Sequence, residues 1–150
     1  MNKFTIFLPI ALCAMIIFST SCKKDKPEGT DLELYEMSNT TAGFTWYKNS
    51  NAALAKSDGS GHTQPFLRTR YNSTAATMLD SVGKVKSDAA FPNGSLIVKE
   101  LLDSQSKLSR YAILFKSTGH EDADANGWVW GYMEADGKVV NSSVDKGAAC

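Results

Sequence analysis

The chain has 150 residues, with 16 basic and 16 acidic side chains and a formal net charge of zero. That balance provides no field for collecting nucleic acid, and the length permits one domain with a modest core. It has three cysteines, Cys13, Cys22 and Cys150.

The first elements in chain order are export signals. Met1-Asn2-Lys3 supplies one positive charge, an apolar run follows from Phe4 to Phe18, and Ser19-Thr20-Ser21-Cys22 closes it with small residues. This is the charged, apolar and small-residue order of a cleaved signal, too short and wrongly flanked for a spanning helix. The cysteine directly after the small residues looks like a bacterial lipoprotein signal, against the alternative of a plain secretory signal. Residues 1–21 are then the signal peptide and Cys22 the acylated new N-terminus, anchoring the protein to a membrane surface facing the periplasm. With Cys13 removed and Cys22 lipidated, Cys150 is the only free thiol, and no intramolecular disulfide can form. Residues 22–43 are polar, carry Pro27 and two glycines, and read as a tether with at most a short helical turn at Asp31–Met37.

The domain proper is expected over 44–150. Phe44–Tyr47 is a short candidate strand, and Phe66–Tyr71 alternates Leu67, Thr69 and Tyr71 against Phe66, Arg68 and Arg70. Ala75, Met78, Leu79 and Val82 fall at helical spacing after Asn72-Ser73, either of which can cap the helix, and Gly83 is expected to end it. Phe91-Pro92-Asn93-Gly94 is turn chemistry. Residues 95–102, 110–116 and 127–134 read as strands, and Asp136-Gly137 as the hairpin turn to a last strand at 138–141. Strands joined in series by turns, with one helix between, predict an α+β fold of mainly antiparallel β structure: a twisted sheet with a packed helix.

Motifs for serine hydrolysis, phosphate binding and zinc proteolysis are missing. His62 and His120 both fall in polar loops and read as solvated. His120 beside Glu121, Asp122 and Asp124 offers at most a weak cation site, without the ordered spacing of a calcium loop. Lys99 is more informative. Its strand carries Leu96, Val98, Glu100 and Leu102 on one face and Ile97, Lys99 and Leu101 on the other, so cover is expected on both sides. A buried amine loses proton affinity and becomes nucleophilic. The alternatives are that Lys99 snorkels to an edge or pairs with an acid. Trp128, Trp130 and Tyr132 share one face of their strand, as a core stripe or as a flat wall for a planar cofactor.

A terminal Cys150 has no evident packing role. It is a free thiol, an intermolecular disulfide partner or the first residue of a longer motif.

Three stretches together resemble the cytochrome P-460 family: Phe66–Asn72 before a helix, Phe91–Leu101 with its Ile97-Val98-Lys99-Glu100, and Asn126–Val139 followed some dozen residues later by Cys150. The likeness covers roughly residues 64 to 150 and is weaker over 30–60. It implies a small exported haem protein, mainly antiparallel β and usually dimeric, whose haem c is attached through C-x-x-C-H near the C-terminus. Lys99 matches the lysine that the family's enzymes cross-link to the haem edge, and Cys150 matches the first haem thioether. The sequence stops there, so it is expected to be truncated within the motif, with the second cysteine and the axial histidine ligand beyond Cys150. If nothing follows Cys150, covalent haem is in doubt and a haem-free lipoprotein binding module becomes the better reading. The family's enzymes oxidise hydroxylamine to nitrogen oxides and pass electrons to a soluble cytochrome. Its relatives, the cytochromes c′-beta, bind nitric oxide and small gases without turnover. The distal carboxylate of the enzymes matches no single residue here, because Glu100 points to the face opposite Lys99.

Overall fold

The structure is a computed structural model that describes residues 26–40 and 42–148. The signal at 1–21, the acylation site Cys22 and the terminal Cys150 lie outside the described residues. Among the described residues no helix is long and apolar enough to cross a membrane.

The molecule is built on one antiparallel sheet of seven strands: β1 (Thr45–Trp46), β2 (Leu54–Ala55), β3 (Phe66–Tyr71), β4 (Leu96–Leu102), β5 (Leu108–Lys116), β6 (Trp128–Glu134) and β7 (Val139–Asn141). The spatial order is β1-β3-β4-β5-β6-β7, with β2 also on β3. From β4 onward each strand pairs with the next in sequence, as series-joined alternating segments require. The strands expected from residue alternation are present. β2 was not anticipated, and β1 is only two residues long before the chain turns into a 3₁₀ helix at Tyr47–Asn49.

Two helical expectations need correction. The stretch assigned to the tether includes α1 (Gly29–Asn39), an eleven-residue helix packed on the sheet. Its buried residues are Asp31, Leu34 and Ser38, a stripe in which two of three members are polar. Both polar members are hydrogen-bonded: Asp31 accepts from the Ser142 hydroxyl (2.7 Å) and the Ser143 N–H (2.8 Å), and the Ser38 hydroxyl donates to the Tyr35 carbonyl (2.7 Å). Leu34 is 1% exposed and sits against Gly131 of β6, where a Cβ would come within 2.9 Å of the leucine methyl. Burying that one side chain contributes about 2 kcal/mol.

The second correction concerns the helix expected from Ala75 to Val82. Only Ser73–Ala76 is helical (α2), capped as predicted by the Asn72 side chain, which accepts from the Ala75 N–H at 2.9 Å. Asp80 ends the pattern. Its carboxylate takes the backbone N–H groups of Val82 (3.0 Å) and Lys84 (2.9 Å), a local turn that competes with helical bonding. Ala75 and Leu79 remain buried, while Val82 is 56% exposed.

The two faces of the sheet differ in kind. On the first, Leu96, Val98, Tyr111, Ile113, Val129 and Met133 form the main core with Leu34. Beside that core lies a buried charge cluster. Arg68 and Arg70 of β3 both donate to Glu100 of β4, Arg70 Nε to Oε1 at 2.9 Å. Arg70 is fully buried, stacks on Phe44 (4.8 Å), and its two terminal nitrogens donate to the carbonyls of Ser38 and Thr40 at the end of α1. One guanidinium thus fastens the helix C-terminus to the sheet. The second face has a smaller core of Tyr71, Ala75 and Leu79, with Tyr47, Phe91 and Ile97 against it. Burial pushes the Tyr71 hydroxyl up to about 12.

Replacing Glu100 by Gln should destabilise the protein by about 3 kcal/mol, because it leaves two arginines, one fully buried, without a counter-charge. Urea unfolding checks this: the midpoint should fall sharply, and a midpoint equal to wild type would contradict the role given to the cluster.

Candidate functional site

The register of the sheet gathers the site. Thr69, Lys99, Ala112, Tyr132 and Asn141 lie directly opposite one another on β3, β4, β5, β6 and β7, and form one row on the second face. The adjoining row is Tyr71, Ile97, Leu114 and Trp130. From these two rows Lys99, Ala112, Leu114, Trp130, Tyr132 and Asn141 line a pocket of about 340 Å³, open on one side, with Gly61 and His62 contributing from the loop above. The volume falls within the usual range of small-molecule sites.

The aromatic wall is held by its neighbours. The Trp130 indole N–H donates to Asp124 at 3.0 Å, and the same carboxylate accepts the backbone N–H groups of Asn126 and Trp128. These donors, the Trp128 N–H foremost, hold the Asp124 carboxyl below its ordinary range. Tyr132 lies under the Arg110 guanidinium (5.4 Å), itself paired with Glu134 at 2.6 Å. Gly147 packs on the other side of Trp130: it adopts φ +75°, and a Cβ there would meet the indole at 2.9 Å. Trp128, the third member of the stripe, turns to Phe91 and Lys116 and does not line the pocket.

His62 belongs to the site, which corrects its assignment to a solvated loop. The loop runs from Lys56 to Pro65 and is closed at its base by the Lys56 N–H donating to the Pro65 carbonyl (2.9 Å), next to the β2–β3 pairing. The Lys56 ammonium donates to the His62 carbonyl (2.9 Å), and Gln64 reaches Ser109 on β5 (3.4 Å). His62 stacks on Tyr132, with ring centroids 5.9 Å apart and planes at 23°. Its imidazole is pushed below the ordinary value of 6.5, first by burial and then by the charges of Lys99 and Lys56. Both causes favour the neutral ring. No periodicity marks His62 in the sequence, since its position depends on how the loop folds back over β5 and β6.

The remaining assigned residues divide clearly. Lys99 is in the pocket and half-buried, whereas Glu100 is on the opposite face in the charge cluster. Two of the acids near His120, Asp122 and Asp124, serve the fold. Asp122 accepts from the Thr30 hydroxyl (2.7 Å), Asp124 holds Trp130, and the His120 ring nitrogen accepts the Asp122 N–H (3.1 Å). Among the described residues no group of three or more histidine, cysteine or acidic side chains could hold a metal ion. None of the described residues lining the pocket is Asp or Glu. No family model, no curated protein and no solved structure matches the chain.

The contact between Gly147 and Trp130 is testable. Gly147→Val should cost about 1–3 kcal/mol, from strain at a positive φ and overlap with the indole. It should also alter the near-UV circular dichroism of the tryptophans. Unchanged stability and spectrum would show that the tail does not rest on this wall.

Proposed function

We propose that the chain is an exported, lipid-anchored c-type haem protein of the cytochrome P-460 kind, with its haem against the second face of the sheet. The observation that carries this reading is convergence. Lys99 lines the pocket, and Gly147, three positions ahead of Cys150, covers the pocket's wall residue Trp130. Lys99 is thus in the cavity, and the last described residues of the chain pack against its wall.

The chemistry of the lining suits a porphyrin. Trp130 offers an aromatic wall, Ala112 and Leu114 an apolar floor, and Lys99 a single amine at the edge. The pocket is open on one side. Lys99 is the residue that would be linked to that edge, and Cys150 the one that would carry a thioether. The axial histidine is expected beyond Cys150. When bound, haem would supply one-electron redox chemistry and a place for a small nitrogen ligand. The chain's own part is to fix the ring through Lys99, to screen one of its faces from water with the aromatic wall, and to tune polarity around the ligand.

On this reading the substrate is hydroxylamine or a related molecule and the product a nitrogen oxide, with electrons leaving to a soluble cytochrome. Acylated Cys22 would hold the protein at a membrane facing the periplasm, in a form compatible with a homodimer. A second reading, binding of nitric oxide or another small gas without turnover, is favoured by one observation: the described lining residues include no carboxylate to take protons from a substrate.

Protein purified from cells competent in cytochrome maturation should give a pyridine haemochrome spectrum, and mass spectrometry should find a Lys99 adduct to the porphyrin. Lys99→Arg should abolish the adduct. A haem spectrum with unmodified Lys99 would favour the gas binder, and a colourless product would overturn the reading.

A further inference from the structure

We infer that, in a chain that carries no haem, the pocket around Lys99 is a binding site for a small organic monocarboxylate with a planar, apolar body. This use of the pocket does not rest on the haem reading. It gives a ligand class to a haem-free binding module, and within one molecule it excludes linkage of the same amine to a porphyrin.

The charge balance of the pocket carries the inference. The ion pairs among the described residues are those of Glu100 with Arg68 and Arg70, on the first face, and of Glu134 with Arg110, beside Tyr132. Lys99 has no acidic partner among the described residues, and none of the described lining residues is Asp or Glu. The Lys56 ammonium, also near the pocket, donates to the His62 carbonyl. The pocket therefore presents one half-buried ammonium without a counter-charge. Such a group, set among apolar side chains, is best satisfied by an anion whose body also displaces water from them.

The remaining lining sets that body. Ala112, Leu114 and Trp130 supply apolar surface, and His62 and Asn141 are polar neighbours of Lys99. A mostly apolar pocket of about 340 Å³ with a few polar groups has the usual makeup of a small-molecule site. The Tyr132 ring is taken up by His62 (5.9 Å) and Arg110 (5.4 Å), so the aromatic surface left for a ligand is that of Trp130. One unpaired positive charge matches one carboxylate, whereas a phosphate dianion calls for more cations and donors than this lining holds.

The site is also held in place. The loop of His62 is closed by the Lys56 N–H on the Pro65 carbonyl (2.9 Å) and reaches β5 through Gln64 and Ser109 (3.4 Å). Asp124 fixes the Trp130 indole (3.0 Å). A ligand would enter from the open side with little to reorder, which favours binding.

NMR of the mature chain, made in cells without cytochrome maturation, tests this with benzoate as the probe. Benzoate added at constant ionic strength should shift the Trp130 indole N–H and the Asn141 amide along a saturating curve. Benzamide, its neutral counterpart of the same shape, should bind at least about tenfold more weakly, and so should benzoate to Lys99→Met. Unshifted signals on the first face serve as the folding control for that variant. Inorganic phosphate should not saturate over the same range. Equal affinity for benzoate and benzamide, phosphate binding as tight as benzoate, or no saturable benzoate shift at the pocket would each overturn the inference. The ligand comparisons use the wild-type chain alone, so they decide the matter even where Lys99→Met fails to fold. None of these outcomes touches the haem reading, and a colourless product from haem-competent cells would overturn that reading while leaving this one intact.

Discussion

The arrangement depends on the guanidinium of Arg70. It is fully buried, meets the carboxylate of Glu100 on the neighbouring strand, and donates from its two terminal nitrogens to the carbonyls of Ser38 and Thr40. An isolated charge in that position would be prohibitive; paired, and with each of its three nitrogens hydrogen-bonded, it becomes a joint between sheet and helix. The joint fixes where α1 ends, and so brings Leu34 down onto Gly131 and Asp31 down to Ser142 and Ser143. The first face of the sheet is sealed as a result. Burial first, and then the Glu100 charge, push the Tyr111 hydroxyl up within that face.

Sealing one face leaves chemistry to the other. Strand alternation puts Lys99 on the face opposite Glu100, so adjacent residues take different roles: Glu100 neutralises arginines in the core, while Lys99 meets a pocket. The antiparallel register then lines Tyr132 and Asn141 up with Lys99, and Trp130 one row away. Around this row the chain adds coverings that are distant in sequence: the loop of His62 on one side and the tail at Gly147 on the other. The sheet supplies position, and the loop adds His62 to the pocket lining.

The sheet was legible because its signals are local. Alternation in Phe66–Tyr71, Leu96–Leu102 and Trp128–Glu134 and the Asp136-Gly137 turn each act over a few residues. Helix α1 was not legible, since its inward stripe is Asp31, Leu34 and Ser38, and polar residues at helical spacing look like a solvated segment until their partners at Ser142 and Ser143 are known. The opposite error occurred at Val82, where apolar spacing suggested a helix that the Asp80 carboxylate breaks. In the site, Lys99 and the Trp130–Tyr132 wall could be read from strand alternation, whereas His62 could not, because loop closure is a tertiary event.

The most direct measurement is a crystal structure of the mature protein purified from cells that make c-type haem. The account predicts density for a planar macrocycle between Trp130, Tyr132 and Lys99, continuous with the Lys99 amine, while Arg70 and Glu100 remain paired on the far face. A macrocycle seated elsewhere, or a pocket filled by water alone in a haem-competent preparation, would contradict it.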